Sequence, residues 1–141
     1  MAVEDAGFYW FHRISHSFPT LYRFHKIHHE YTETFSLTTE AIHPIDYVFG
    51  NLIPSAVPFI LLGSRVHCFM FFFWQVWKMY ISTESHGGYE FPWSPTRILF
   101  FVSDPSFHDY HHKKNVGNFC GPVYLWDFFN GSAESYFSEY K

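Results

Sequence analysis

Cysteine is nearly absent. Cys68 and Cys120 are the only two in 141 residues and form no C-x-x-C pair, so the chain carries no disulfide framework. Cys68 lies in an apolar run and is expected to be a small core or lipid-facing residue. Charge is also scarce: charged residues make up 16% of the chain and none of them form a basic block. With a net charge of −4, that argues against nucleic acid as a partner. The N-terminus carries Glu4 and Asp5 where a secretory signal would have a basic stretch before an apolar one. No domain-sized repeat and no low-complexity tract is present. The length allows one domain, residues 1–141, around one core.

Aromatic rings fill the space that charge leaves. Phe, Tyr and Trp together reach 24%, far above ordinary usage. Histidine is the other excess. Of eleven, eight fall in three clusters: His12-Arg-Ile-Ser-His16, His25-Lys-Ile-His28-His29 and His108-Asp-Tyr-His111-His112. Rings three or four residues apart share one helix face. Crowding titratable rings is unfavourable unless something needs them neutral and converging, and a transition metal does. Two H-x-x-H-H copies and an H-x-x-x-H in so short a chain point to a polynuclear metal site.

The chain divides into three parts. In residues 1–46, Asp5 to Arg13 reads as a helix running into His16, Pro19 interrupts, and Leu21 to Glu30 reads as a second helix. Tyr31 to Glu40 reads as a loop that is partly helical, and Pro44 marks a turn or helix start. Residues 47–82 form the membrane candidate. Tyr47 to Gly63 is uncharged, Gly63-Ser-Arg65 is a turn, and Val66 to Trp77 is again uncharged before Lys78. Each segment is short of the roughly twenty residues of a span. Pro54 and Pro58 are expected to kink the first. A membrane hairpin is preferred over two buried soluble helices, because Phe69-Met-Phe-Phe-Phe-Trp74 is more apolar bulk than a soluble domain this small can cover. Trp and Tyr near the segment ends suit an interfacial belt. A hairpin returns the chain to the face it left, so the second and third clusters can share one site. Residues 83–141 are polar again, with a proline-punctuated turn at 91–95 and a short helix, Leu125 to Phe129, stopped at Asn130-Gly131. The expected fold is all-α: an integral membrane helical bundle with a transmembrane hairpin at about 47–82 and a His-rich helical cap holding a dinuclear metal site.

The order of boxes, H-x-x-x-H, H-x-x-H-H, apolar hairpin, H-x-x-H-H, resembles the fatty acid hydroxylase superfamily of membrane di-iron oxygenases. The flanks narrow it. Glu4-Asp5 with Tyr9-Trp10, His25-Lys-Ile-His-His-Glu30, Ala41-Ile-His43-Pro44, His86-Gly-Gly-Tyr-Glu-Phe-Pro-Trp-Ser-Pro95 and Phe107-His-Asp-Tyr-His-His112 resemble the methylsterol monooxygenases, which oxidise methyl groups on ring carbon four of sterol intermediates. Family members usually carry further membrane helices before the first box, so this chain is expected either to lack them or to be a piece of a longer protein.

The resemblance implies metal ligands at His12, His16, His25, His28, His29, His86, His108, His111 and His112. Glu90, four residues after His86, offers a carboxylate ligand or a solvated loop charge. His43 matches a family position and is expected to support the site rather than ligate. His67, beside Arg65, is expected to play an interfacial part only. Carboxylates that accept from ligating imidazoles are sought among Asp5, Glu30, Glu40 and Asp109. Some of Phe8, Tyr9, Phe11, Trp74 and Trp77 are expected to line an apolar substrate cavity. The implied cofactors are two iron ions, which zinc can replace on purification, together with dioxygen and NAD(P)H electrons relayed by a small b-type haem protein. The implied partners are membrane lipid, a sterol or other lipid substrate, that haem protein, and other membrane subunits. The implied location is the endoplasmic reticulum, with another organelle membrane as the alternative. Two other readings stand beside sterol oxidation: a related lipid hydroxylase or desaturase acting on a fatty acyl chain, sphingolipid or other sterol position, and a non-catalytic membrane-complex subunit that keeps the fold.

Overall fold

The structure is a computed structural model describing residues 2–99 and 102–140. Among these residues the fold is helical, and the only β pairing is an isolated bridge between Val102 and Val123. Helix α1, Ala2–Ser17, opens with Glu4 and Asp5 in its first turn, where the helix dipole favours negative charge. It breaks at Phe18, which is extended because the next residue is proline. Pro19 then starts α2, Pro19–His25, at a position that needs no N–H.

The second helix ends earlier than its sequence pattern implies. After His25 the chain tightens: Ile27 N–H bonds to Phe24 O and Glu30 N–H to Ile27 O, placing His28–Glu30 in a 3-10 turn. A second 3-10 turn, Ser36–Glu40, lies in the expected loop.

Helix α3 runs from Pro44 to Leu62, within the 22-residue apolar stretch Pro44–Arg65. It is long and apolar enough to cross a bilayer, and only 22% of its most apolar stretch is buried. Residues Tyr47–Leu52 widen into a π-turn ahead of Pro54, whose ring would otherwise strike the carbonyl four residues back. Gly7 of α1 faces Pro54 so closely that a Cβ there would sit 3.2 Å from the Pro54 ring, so the glycine lets the two helices touch.

The chain turns at Gly63–Arg65 and returns as α4, Cys68–Ser85, whose first N–H groups are capped by His67. Phe59 packs edge-on against Phe71 at 5.0 Å, and Lys78 bonds to Ser55, so α3 and α4 form a helical hairpin. Among the described residues only α3 meets the length and polarity of a span. Gln75, Lys78 and Glu84 make α4 more polar than the sequence outline of two equivalent segments implies. Glu4 fastens this hairpin to α1: it accepts from Trp74 Nε1 at 2.5 Å and Ser55 Oγ at 2.8 Å, and pairs with Lys78 Nζ at 2.5 Å.

Short helix α5, Pro95–Ile98, leads to α6, Pro105–Lys114, which Asp104 caps at the Phe107 N–H. Helices α7, Leu125–Phe129, and α8, Glu134–Tyr140, close the chain. Tyr9, Phe107, Tyr110, Cys120, Ala133 and Tyr136 form the buried core between α1, α6 and α8.

Candidate metal centre

Nine histidines converge into two groups. His12, His16, His25, His29 and His111 form one; His28, His86, His108 and His112 form the other. Each box divides its ligands. The middle box sends His25 and His29, one helical turn apart, to the five-histidine group and His28 to the other. The last box does the reverse, giving His108 and His112 to the four-histidine group and His111 to the first. His86, at the end of α4, completes the second group.

The ring tautomers follow from their outer partners. His12 Nδ1 lies 2.8 Å from Phe119 O, His86 Nδ1 2.8 Å from Ser82 O, His111 Nδ1 2.6 Å from Gly117 O and His112 Nδ1 3.2 Å from Tyr31 O. A carbonyl oxygen only accepts, so each Nδ1 carries the proton and each Nε2 presents a lone pair. His25 donates likewise to Asp46 at 2.8 Å. The Nδ1 atoms of His28 and His29 are buried and complete no bond, although the Ala41 carbonyl lies near the His28 ring.

The Nε2 atoms face one another. His29 lies 3.0 Å from His25 and 3.2 Å from His111, and His16 lies 3.3 Å from His12. In the second group His28 to His86 is 3.3 Å, and His86 to His108, His108 to His112 and His112 to His28 are each 3.2 Å. Lone pairs at this range repel. Two nitrogens about 2.1 Å from one ion lie roughly 3.0 Å apart at a right angle and roughly 3.4 Å apart at the tetrahedral angle. The observed spacing therefore fits a first-row transition ion in each group, and all-imidazole donors suit iron, zinc or copper.

Burial sets the charge state. His12, His28, His108 and His111 are held well below the usual imidazole range, first by burial and then by neighbouring imidazoles. Burial also lowers His29 and His86. His16 and His112 are each pushed down to about 3, again chiefly by burial. Neutral imidazole is the form that ligates.

An open cavity reaches both groups at His12, His25, His28, His86 and His108. Phe8, Phe11, Ile42 and Ile81 give it apolar walls; Asp5, Ser82 and Ser103 add polar ones. Of the expected lining residues, Phe8 and Phe11 are there. Tyr9 is fully buried in the core, Trp74 bonds to Glu4, and Trp77 packs near Tyr80. Asp5, raised to about 7 by burial, accepts from Val123 N–H rather than from a histidine.

The remaining expected residues lie elsewhere. Glu90 is at the surface, paired with Arg97, outside both groups. His43 caps the start of α3 by accepting from Ile45 N–H at 3.1 Å and packs on Phe24. Glu30 and Glu40 are exposed, and Asp109 pairs with Lys113. Among the described residues the one carboxylate bonded to a grouped histidine is Asp46, which sequence reasoning missed. Its signal was a Pro-Ile-Asp first turn directly after His43. Main-chain carbonyls serve His12, His86, His111 and His112 and leave no trace in residue identity.

A family model described as fatty acid hydroxylase matches residues 1–132. The chain belongs to the fatty acid hydroxylase family. It is 36% identical to a Dictyostelium discoideum protein provisionally named a methylsterol monooxygenase, across 96% of this chain and 50% of that protein. It is 35% identical to methylsterol monooxygenase 2-2 of Arabidopsis thaliana, across 95% of this chain and 50% of that one. It is 36% identical to very-long-chain aldehyde decarbonylase GL1-8 of Oryza sativa, again across 95% and 50%. The chain spans about half the length of the curated relatives it matches. No solved structure matches it. Its relatives are lipid-modifying enzymes by name, and its histidine groups are able to hold metal.

Proposed function

We propose that this chain holds the dinuclear iron centre of a membrane monooxygenase that oxidises a methyl group of a sterol intermediate, as in sterol C-4 demethylation. The observation that carries the reading is the convergence of nine imidazoles into two groups at metal-ligand spacing, beside a cavity with apolar walls. Two iron ions bound there would supply the electrons that let dioxygen attack an unactivated C–H bond. The chain's own residues do the rest. Asp46 and the carbonyls of Phe119, Ser82, Gly117 and Tyr31 fix the tautomers. Phe8, Phe11, Ile42 and Ile81 receive the apolar body of the substrate and exclude water from the reacting carbon.

The hairpin α3–α4 is proposed to sit in the bilayer with Arg65 at its far turn, so substrate approaches from lipid and electrons from water. Ile60 is 74% exposed and Phe72 64%, a surface that lipid would cover. The electron donor is proposed to be a b-type haem protein and the membrane that of the endoplasmic reticulum. A second reading, a related reaction on another lipid, is favoured by the equal identity to the aldehyde decarbonylase.

The test is elemental analysis of the purified chain, followed by turnover with a 4-methylsterol, dioxygen and a reductant. Two transition ions per chain and an oxidised 4-methyl product are expected. One ion or none would overturn the dinuclear centre. Two ions with aldehyde turnover and no sterol product would overturn the sterol reading.

A further inference from the structure

Two histidines of the five-histidine group take their orientation from one loop, and that loop hangs on one carboxylate. Asp127, on α7, is fully buried. Its Oδ1 accepts from Phe119 N–H at 2.9 Å and Ser132 Oγ at 2.6 Å; its Oδ2 accepts from Cys120 N–H at 2.6 Å. The Cys120 N–H and the Phe119 carbonyl belong to one trans peptide unit, so they point in opposite directions. With its N–H turned to Asp127, this peptide must turn its carbonyl away, and there it meets His12 Nδ1 at 2.8 Å.

The next contact repeats the device. Asn118 N–H donates to Ser132 O at 2.9 Å, so the Gly117 carbonyl of the same peptide faces the other way, to His111 Nδ1 at 2.6 Å. Gly117 has φ +64° and a Cβ there would lie 2.3 Å from Ser132 O, so this approach requires glycine. Asn118 also ties the loop to α6 through Phe107 O at 2.8 Å. In the four-histidine group, His86 and His112 donate outside this loop, to Ser82 O and Tyr31 O.

We propose that Asp127 is a positioning residue for the five-histidine group, acting on His12 through the Phe119–Cys120 peptide as a carboxylate–peptide–imidazole relay. The inference rests on the metal reading above. By accepting from the Cys120 N–H, Asp127 polarises the peptide, which makes its carbonyl a stronger acceptor and the His12 Nε2 a stronger donor to metal. A direct carboxylate–histidine pair would do the same at shorter range, as Asp46 does for His25.

The experiment is metal titration of the full chain in detergent, comparing the unaltered protein with Asp127→Asn and Ser132→Ala, and reading cobalt absorption as each group fills. Asp127→Asn keeps the shape and replaces one acceptor with a donor. It is expected to weaken one of two ions about 10–100-fold and shift that ion's cobalt spectrum, leaving the other unchanged. The retained ion is its own folding control, because its ligands come from the middle box, α4 and α6. Ser132→Ala, which leaves both backbone donors on Asp127, is expected to stay within about threefold of the unaltered protein. Unaltered binding of both ions by Asp127→Asn, or equal loss of both, would overturn the inference alone. Absence of any tightly bound ion from the unaltered protein would overturn the metal reading and the inference with it.

Discussion

The histidine-bearing cap and the α3–α4 hairpin are built from the same aromatic vocabulary and use it in opposite ways. In the cap, Tyr9, Phe107, Tyr110 and Tyr136 are buried against one another, and their polar atoms find partners: Tyr9 with Ser132, Tyr110 with Glu139, Tyr136 with Ser106. In the hairpin, Phe69, Phe72, Phe73 and Val76 face outward, and none of the described residues covers them. Composition is therefore a poor guide to where a ring sits. A cap ring is specified by protein neighbours, whereas these outward hairpin rings have few. Substitutions should be costly in the cap through lost packing and ligation, and cheap in the hairpin unless they change polarity.

The largest effect should come from comparing histidines across the two regions. On the proposed reading, His111→Ala or His28→Ala removes a ligand from a group in the cap and should bring oxidation to background with loss of at least one metal ion per chain. His67 lies at the hairpin turn, exposed, and only caps α4 by accepting from Phe69 N–H at 3.1 Å. His67→Ala should keep full metal content and activity within about twofold, at a stability cost of about 1 kcal/mol for the lost cap. Elemental analysis and turnover measured side by side check both. Equal damage from His67→Ala and His111→Ala would erase the distinction between the regions.

The rings give the next contrast. Phe107 is 3% exposed and packs edge-on against Tyr136 at 5.0 Å. Phe107→Ala should cost about 3–5 kcal/mol, the usual range for emptying a core phenylalanine site. Phe72→Ala in detergent should stay within about 0.5 kcal/mol, because it opens no protein cavity. Thermal unfolding of the two variants in one detergent reads the difference, and a Phe72→Ala cost near that of Phe107→Ala would mean that protein, not lipid, covers the hairpin.

These contrasts mark what the sequence made legible. The hairpin turn at Gly63–Arg65, the break at Pro19 and the histidine boxes were all visible, because each depends on local residue identity and spacing. The division of each H-x-x-H-H between two groups was not. It depends on which rings from other parts of the chain meet each box, and that is a tertiary outcome. The partners of Nδ1 were hidden for a similar reason: four are main-chain carbonyls, which every residue possesses. Lys78 was visible as a break in an apolar run. Its role became clear only once Glu4, 74 residues earlier, was found holding it together with Ser55 and Trp74.

The pH dependence of the metal-free protein is expected to be a cap property. His16 and His112 lie at about 3 in the fold and at 6.5 ordinarily. Between those values the unfolded chain binds protons that the folded cap refuses. Stability present above pH 6.5 is therefore lost as pH falls through the window from 6.5 to 3, by about 1.4 kcal/mol per pH unit for each of these two groups. Bound metal should shift the loss to lower pH, since it competes with protons for the same nitrogens. Chelator-treated protein unfolded at stepped pH tests this, and a stability that rises on acidification would reverse the sign.

The smallest effect belongs to Glu90, and it sharpens the boundary of the cap. Glu90 stands four residues after His86, a spacing that would aim both at one site if α4 continued. The helix instead stops at Ser85, the chain turns through Gly87 and Gly88, and the carboxylate ends at the surface beside Arg97. An exposed pair of this kind contributes about 0–1 kcal/mol, less at high salt. Glu90→Gln should therefore leave metal content at the unaltered value, activity within about twofold and stability within 1 kcal/mol. Metal analysis decides it: loss of an ion in Glu90→Gln would show that the 86–90 turn closes over the four-histidine group, and would move Glu90 from the rim of the cap into its centre.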